Sequence, residues 1–166
     1  MVNASDEHME KAFELAQEAL DNDEVPVGCV FTYREKQIGC GRNRVNCTKD
    51  PTTHAEMVAL RSMEEENPNI KEIMHDLVLH VTLEPCIMCA SGLFELGISK
   101  IVYAAANERF GGIYSVGNCS KYNQKDSNTK VIVDSRYADR SISLLKSFYD
   151  KQNPFAPEEK RKTKSR

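Results

Sequence analysis

Two short motifs carry side chains that could perform metal-assisted chemistry. The first, HAE, holds His54 and Glu56, and the second, PCIMC, holds Cys86 and Cys89. One histidine and two cysteines would give a zinc ion three ligands and leave a fourth position open, which is typical of a catalytic zinc site. Zinc generates hydroxide from water near neutral pH, and a carboxylate such as Glu56 can take up and return protons.

Both motifs lie where the pattern predicts that a helix begins. Cys86 and Cys89 are three residues apart, so both sulfurs lie on one side of a helix. Pro85 suits a helix start, and the positive end of the helix stabilises the thiolates that bind metal. In a first turn, His54 and Glu56 can both reach past the helix end. A shared site at two helix starts is therefore possible.

Taken singly, each of these residues has a simpler interpretation. An isolated histidine often has a structural role, and a glutamate in a first turn often only stabilises the helix dipole. The two cysteines could be core residues or a thioredoxin-like redox pair. The redox interpretation leaves His54 and Glu56 without a role. The sequence also leaves open a fourth protein ligand, from Cys29, Cys40, Cys47, His80 or Cys119.

Length and composition predict one globular domain. The chain has 166 residues, of which 40% are apolar, and we assign residues 1–153 to a single domain. No apolar run reaches the roughly 18–20 residues of a membrane span. The N-terminus is acidic and amphipathic, unlike a secretory signal. We therefore expect a location in the cytoplasm or nucleus, no membrane association and reduced cysteines.

The charge of the chain is unevenly distributed. The net charge is −3, yet the last ten residues hold five Lys/Arg and two Glu, which leaves −6 for residues 1–156. We expect residues 154–166 to form a basic, flexible tail that could contact RNA. The acidic remainder does not have the composition of a nucleic-acid-binding domain.

Hydrophobic periodicity places the two motifs on a mixed α/β framework. Helices are predicted at 6–21, 54–66, 86–96 and 135–153, and strands at 25–33, 37–43, 76–83, 100–106 and 130–134. A long polar connection at 107–130 is typical of a functional loop. Strands that alternate with helices predict a central sheet covered on both faces.

Beyond the two motifs, several stretches resemble tRNA-specific adenosine deaminases. An H-x-E followed by P-C-x-x-C is the signature of zinc-dependent deaminases. The wider matches are EVPVGCVF (24–31), GCGRNR (39–44), DPTTHAEMVAL (50–60) and TLEPCIMCASGL (82–93). ERFGG (108–112) resembles the eukaryotic catalytic subunit of this family.

The resemblance implies a reaction, a fold and partners. Members of this family hydrolytically deaminate adenosine to inosine at the wobble position of tRNA anticodons. Their fold is the cytidine-deaminase-like three-layer α/β/α sandwich, with a mixed five-stranded sheet between helices. The eukaryotic catalytic subunit pairs with a related, catalytically inactive subunit, usually called subunit 3. We therefore expect the tRNA anticodon loop and such a subunit as partners.

The resemblance also assigns the metal-binding and catalytic residues. His54, Cys86 and Cys89 would hold one zinc ion, with water or hydroxide as the fourth ligand. Glu56 would pass a proton from that water to the ring and then to the departing amine.

Four further positions would bind substrate by the same resemblance. Asn43 matches the family position that contacts the flipped base, and Val27 matches a pocket wall. The backbone near Glu84 would face the reacting centre. Asn107 stands where bacterial relatives carry an aspartate near the RNA backbone.

Two other functions remain compatible with the zinc motif. A deaminase of a free base or nucleotide shares the same signature, although the wider matches favour tRNA. A non-catalytic, zinc-stabilised partner subunit would need the metal ligands but no carboxylate beside them. The presence of Glu56 favours an enzyme.

Overall fold

The computed structural model describes residues 4–121 and 128–151, which form five α-helices and five strands. The helices are α1 (Ala4–Asp21), α2 (Val45–Thr48), α3 (Ala55–Glu66), α4 (Ile87–Glu95) and α5 (Ala138–Asp150). The strands are β1 (Gly28–Tyr33), β2 (Lys36–Arg42), β3 (Leu77–Leu83), β4 (Lys100–Ala105) and β5 (Lys130–Val133). Short 3-10 helices cover Ile70–Asp76, Cys119–Lys121 and Ser135–Tyr137.

The five strands form one mixed sheet in the order β2-β1-β3-β4-β5. The hairpin β1–β2 and the pair β1–β3 are antiparallel, whereas β3–β4 and β4–β5 are parallel. The parallel pair β3–β4 is joined through α4, so the end of β3 leads directly into the second motif. This confirms the predicted five-stranded mixed sheet.

Helices cover both faces of the sheet. Along β3, Leu79 and Val81 join the larger core cluster with residues of α3 and α4. Val78, on the opposite face, packs against the smaller cluster that includes Phe13 of α1. On this second face, the Ser141 hydroxyl of α5 donates a hydrogen bond of 2.5 Å to a β3 carbonyl. The predicted three-layer α/β/α sandwich is thereby confirmed.

A close approach between β2 and α3 fixes the start of the helix that carries the first motif. A Cβ at Gly41 would lie 2.4 Å from the carbonyl oxygen of Ala55, the first residue of α3. Only glycine allows the helix backbone this near to the strand. The position of His54 and Glu56 relative to the sheet therefore depends on Gly41.

The structure differs from the predicted boundaries in several places, among them the last helix, predicted at 135–153, which covers Ala138–Asp150 after a 3-10 turn at Ser135–Tyr137. The strand predicted from residue 25 begins at Gly28, because Pro26 has no N–H for a sheet bond and the Val27 N–H bonds to the carbonyl of Val25. The predicted loop at 47–53 overlaps the single helical turn of α2. The 3-10 helix Ile70–Asp76 lies between the predicted helix at 54–66 and the strand predicted from residue 76, in a segment for which the pattern predicted no regular structure.

The predicted tail at 154–166 lies outside the described residues. In the ranges that the structure does describe, none of the helices combines the length and apolar character that crossing a bilayer requires.

His80 is a buried histidine in the middle of β3. Its side chain is 4% exposed, and its Nδ1 has no hydrogen-bond partner within the described part of the chain. The ring lies 5.3 Å from that of His8, centroid to centroid. Burial, reinforced by the charges of His8 and Lys100 and partly opposed by Asp134, lowers the pKa of His80 to about 4.

We predict that His80 sets much of the acid sensitivity of the fold. The unfolded chain takes up the His80 proton near its ordinary pKa of 6.5, and the folded chain only near 4. Stability from this group is therefore complete above pH 6.5 and lost as the pH falls toward 4, by about 2–3 kcal/mol. Urea unfolding at pH 4.5 and 7 should show a smaller pH difference for His80→Gln than for the wild type.

The control for this prediction is His75→Gln, which replaces an exposed histidine in the same chain. Its unfolding free energy should keep the wild-type pH dependence. An unchanged pH dependence in His80→Gln would show that other groups control acid unfolding.

Candidate active site

The starts of α3 and α4 bring the two sequence motifs together. His54 is the N-cap residue of α3 and Cys86 that of α4, both with extended backbone and neither making a side-chain cap. Instead, the Cys86 Sγ lies 3.3 Å and the Cys89 Sγ 3.7 Å from the His54 Nδ1. The ligand atoms of these three residues all lie within 4.8 Å of one another.

This donor set fits a zinc ion. Imidazole nitrogen and thiolate sulfur are the ligands that zinc prefers. The Cys89 thiol donates to the Cys86 sulfur, which raises the pKa of Cys89, and this bond together with that from His54 lowers the pKa of Cys86 to about 4. Cys86 is therefore a thiolate at neutral pH, which is the metal-binding form.

The group contains three protein ligands among the described residues, and no fourth. The sequence had left five candidates for a fourth ligand, and none of them belongs to the group: Cys29, Cys40, Cys47, His80 and Cys119. Three ligands with an open position are typical of a catalytic site, because a structural zinc site is closed by four protein ligands.

Glu56 lies in the first turn of α3, beside the three ligands. Its side chain is 3% exposed and lies close enough to Cys89, Cys86 and His54 to interact with them electrostatically. Burial raises the pKa of this carboxyl. Glu56 is adjacent to the metal group without being part of it, as a proton-transfer residue should be.

A turn ahead of α3 directs His54 toward α4. The Asp50 carboxylate accepts hydrogen bonds from the Thr52 N–H at 2.8 Å and from its hydroxyl at 2.7 Å. The Thr53 carbonyl accepts the Arg44 N–H at 3.0 Å. A backbone hydrogen bond thus joins the turn to the segment that follows β2. The polar side chains of the turn stabilise it by bonding to the neighbouring backbone.

A cavity of about 990 Å³ opens at these helix starts. Of the predicted site residues, those that line it are Val27, Asn43, His54, Glu56, Glu84, Cys86 and Asn107. Cys89, the eighth, is fully buried behind the cavity wall. The cavity is large enough for a nucleobase and its neighbours.

Asn43 and Val27 are held together on one wall of the cavity. The Asn43 N–H donates to the Val27 carbonyl at 3.1 Å, and the Asn43 Oδ1 accepts the Val45 N–H at 3.0 Å. The amide nitrogen of Asn43 is then the atom that can donate to a ligand. Our sequence analysis missed Glu24, whose buried carboxylate accepts two backbone N–H bonds, at 2.7 and 2.9 Å, from the α2 turn after Asn43.

Glu84 and Asn107 build the opposite wall. The Glu84 carboxylate accepts the Asn107 N–H at 2.9 Å and bonds from the loop beyond it. The Asn107 side-chain oxygen accepts the Phe110 N–H at 3.2 Å, so it stabilises a turn. Burial alone would raise the pKa of Glu84, but the bonds from Ser115, Tyr114 and Asn107 outweigh it and lower the pKa.

Helix α5 forms a further wall of the cavity, which was not predicted from the sequence. Ile142, Leu145 and Tyr149 line it there, and Arg109 and Phe110 line it on the loop. The amphipathic pattern of the last helix was visible in the sequence. Nothing in that pattern indicates that its apolar face borders the cavity.

Comparison with known proteins agrees with this geometry. Residues 2–105 match the cytidine and deoxycytidylate deaminase zinc-binding region. With this match, zinc is the metal of the site, and His54, Cys86 and Cys89 are positioned as its ligands.

Individual relatives are more specific. The chain is 46% identical over 157 residues to tRNA-specific adenosine deaminase 2 of Xenopus tropicalis, covering 92% of each protein. It is 37% identical to tRNA-specific adenosine deaminase subunit tad2 of Schizosaccharomyces pombe, covering 90% of this chain and 38% of that one.

A solved structure has the same fold. It comes from a study of A-to-I editing by tRNA:A34 deaminases at the wobble position of transfer RNA. It matches with a TM-score of 0.72 and 28% identity, over 84% of this chain and 99% of that chain. From its sequence, its fold and its three zinc ligands, the chain belongs to the deaminases with a cytidine and deoxycytidylate deaminase zinc-binding region and, among them, to the tRNA-specific adenosine deaminase 2 family.

Proposed function

We propose that this protein hydrolyses adenosine to inosine at the wobble position of tRNA anticodons, in the cytoplasm or the nucleus. The observation that carries the proposal is the buried carboxylate of Glu56 beside three metal ligands at the wall of a 990 Å³ cavity. A scaffold would need the ligands but neither the carboxylate nor the cavity. The names of the relatives supply the substrate class.

The chain's own groups account for the proton transfers of this reaction. When bound, zinc supplies a hydroxide nucleophile from water at neutral pH. The Glu56 carboxylate accepts the first proton of the water and donates it to ring nitrogen N1; it then passes the second proton, from the new hydroxyl at C6, to the departing amine. A C6–O bond forms, the C6–N6 bond breaks, and ammonia leaves, so one water is consumed for each inosine formed.

The walls of the cavity orient the base in this proposal. The amide nitrogen of Asn43 donates a hydrogen bond to the purine, and Val27 packs against its face. The backbone near Glu84 borders the reacting carbon, and Asn107 lies toward the RNA backbone. The remaining walls are largely apolar, which suits a base removed from its stack.

We predict that Glu56→Gln abolishes inosine formation while zinc stays bound. Glutamine fills the same volume but cannot accept a proton, so the rate should fall by about 10²–10⁴-fold or more. The measurement is inosine formation in a wobble-adenosine anticodon stem-loop, with metal content determined on the same sample. The control is Glu65→Gln, an exposed glutamate on the same helix, which should keep full activity.

The same assay separates the alternatives. Full activity of Glu56→Gln would contradict the assigned role of Glu56. Deamination of free nucleosides or bases, without activity on the stem-loop, would identify a small-molecule deaminase. Bound zinc with no activity on any of these substrates, alone or with the partner, would favour a non-catalytic subunit.

We also propose that a related, non-catalytic deaminase subunit is the partner. Five apolar side chains, which we call the mouth patch, are 37–59% exposed: Ile87, Met88 and Phe110, which line the cavity, and Tyr114 and Val116, which follow Phe110 on the same loop. An apolar cluster of this kind is typical of a protein interface. The net charge of −6 over residues 1–156 also favours a partner that contributes basic RNA contacts. The fission yeast relative is itself named a subunit.

We predict that a charge in the mouth patch prevents assembly. Val116→Glu should abolish co-elution with the partner subunit and reduce inosine formation of the mixture to that of the isolated chain. Ile132→Glu, at an exposed apolar position on β5, should leave both unchanged. An isolated chain as active as the mixture, eluting as a dimer, would instead indicate a homodimeric enzyme.

We predict that the basic tail contributes to RNA affinity through charge. Residues 160–166, which lie outside the described residues, hold five Lys/Arg. Their removal from the assembled complex should weaken tRNA binding. It should also reduce the slope of log affinity against log salt by about 0.7–0.9 for each phosphate that the tail neutralises. Fluorescence anisotropy at several salt concentrations measures this slope. An unchanged slope would show that the tail does not contact RNA.

A further inference from the structure

We propose that Glu84 is a positioning residue whose carboxylate folds the loop of residues 107–115 and, through this loop, holds the zinc ligand Cys86 and the cavity mouth in place. The effect on the metal follows from the chain's own contacts. The effect on RNA editing rests in addition on the function proposed above.

The Glu84 carboxylate is the centre on which the 107–115 loop is built. Its Oε1 accepts the backbone N–H groups of Ile113, Tyr114 and Ser115 at 3.1, 2.8 and 3.1 Å. Its Oε2 accepts the Asn107 N–H at 2.9 Å and the hydroxyl of Ser115. These five donors come from both ends of the loop, so a single side chain closes it.

A carboxylate is required because donors converge on it in a dry site. Glu84 is 1% exposed. Removing a carboxylate from water is costly unless hydrogen bonds replace its hydration, and bonds to a charged acceptor are about twice as strong as neutral ones. A glutamine would keep one acceptor oxygen and direct an NH₂ donor at the loop N–H groups. Even with its oxygen at the Oε1 position, its NH₂ would face the Asn107 N–H and leave that donor unsatisfied.

The closed loop in turn forms hydrogen bonds with the backbone on both sides of Cys86. The Gly112 N–H donates to the Pro85 carbonyl at 2.8 Å, and the Ile87 N–H donates to the Phe110 carbonyl at 3.1 Å. Cys86 itself forms an antiparallel bridge with Gly111. The residue before the ligand and the residue after it are therefore both bonded to the loop that Glu84 folds.

Two glycines allow this tight fit. A Cβ at Gly111 would lie 2.2 Å from the Glu84 Oε2, and one at Gly112 would lie 2.7 Å from the Ile87 Cα. The loop packs between the Glu84 carboxylate and the start of α4, with no space for a side chain at Gly111 or Gly112. A small displacement of the loop must therefore move Cys86, whose sulfur is one of three ligands.

We predict that Glu84→Gln weakens zinc binding about 10–100-fold, the usual effect of removing a group that supports a metal ligand. Competition with a chromophoric chelator on the purified full chain measures the affinity without any RNA. Glu84→Asp, which keeps the charge but reaches less far, should lie between the wild type and Glu84→Gln. Under native conditions, trypsin should cut after Arg109 faster in Glu84→Gln than in the wild type.

The control for general destabilisation is Phe13→Leu, which removes core volume from the α1 cluster, away from the loop. It should keep wild-type zinc affinity and wild-type cleavage after Arg109. Equal zinc affinity in Glu84→Gln and Phe13→Leu would overturn the proposal. If Glu84→Gln does not fold, Ser115→Ala removes one donor only and should weaken zinc binding about 5-fold. Wild-type affinity in Ser115→Ala would then overturn it.

Activity provides a second measurement at saturating zinc. Glu84→Asp should raise KM for the stem-loop because the cavity mouth is displaced. It should lower kcat because the zinc ligand Cys86 is displaced. Phe13→Leu should change neither. If the wild type has no activity on the stem-loop, the proposed function fails, but the zinc and trypsin measurements still decide the role of Glu84.

Discussion

The contact between the starts of α3 and α4 is the constraint on which the rest of this structure depends. His54 lies 32 residues before Cys86, and their ligand atoms are 3.3 Å apart. This short distance requires that Cys86, which follows β3, and His54, which follows β2, lie at the same edge of the sheet. The antiparallel pairing of β1 with both β2 and β3 achieves this. Helix starts also supply N–H groups and a positive dipole end, which favour thiolates.

Three buried glutamates surround the cavity, and their surroundings give them different roles. Glu24 and Glu84 accept backbone N–H bonds, each from one wall of the cavity. Glu56 is equally buried but lies next to the metal ligands. A carboxylate whose oxygens accept backbone N–H groups organises the surrounding chain. One beside a metal site has the position that proton transfer requires, so the surroundings rather than the residue type distinguish the three glutamates.

The walls of the cavity come from distant parts of the chain. Asn43 follows β2, Asn107 follows β4, and Tyr149 lies in the last turn of α5. Contacts outside the cavity support these walls, such as the hydrogen bonds that the backbone N–H groups of the α2 turn donate to Glu24. The shape of the cavity therefore depends on the packing of all three layers, whereas the ligand atoms themselves come from two helix starts.

The sequence by itself determined the ligand types, a candidate general base and the order of the longer helices and strands. Those properties are local: H-x-E and P-C-x-x-C lie within single helix starts, and the alternation of apolar residues predicts strands and helices from neighbours a few positions apart. Only the tertiary structure decided that no fourth protein ligand joins His54, Cys86 and Cys89 among the described residues, that Glu84 closes the 107–115 loop, and that α5 borders the cavity. These contacts join residues more than 20 positions apart. The free energy of such contacts depends on which surfaces the sheet and helices bring together. A pattern of neighbouring residues does not predict which surfaces these are.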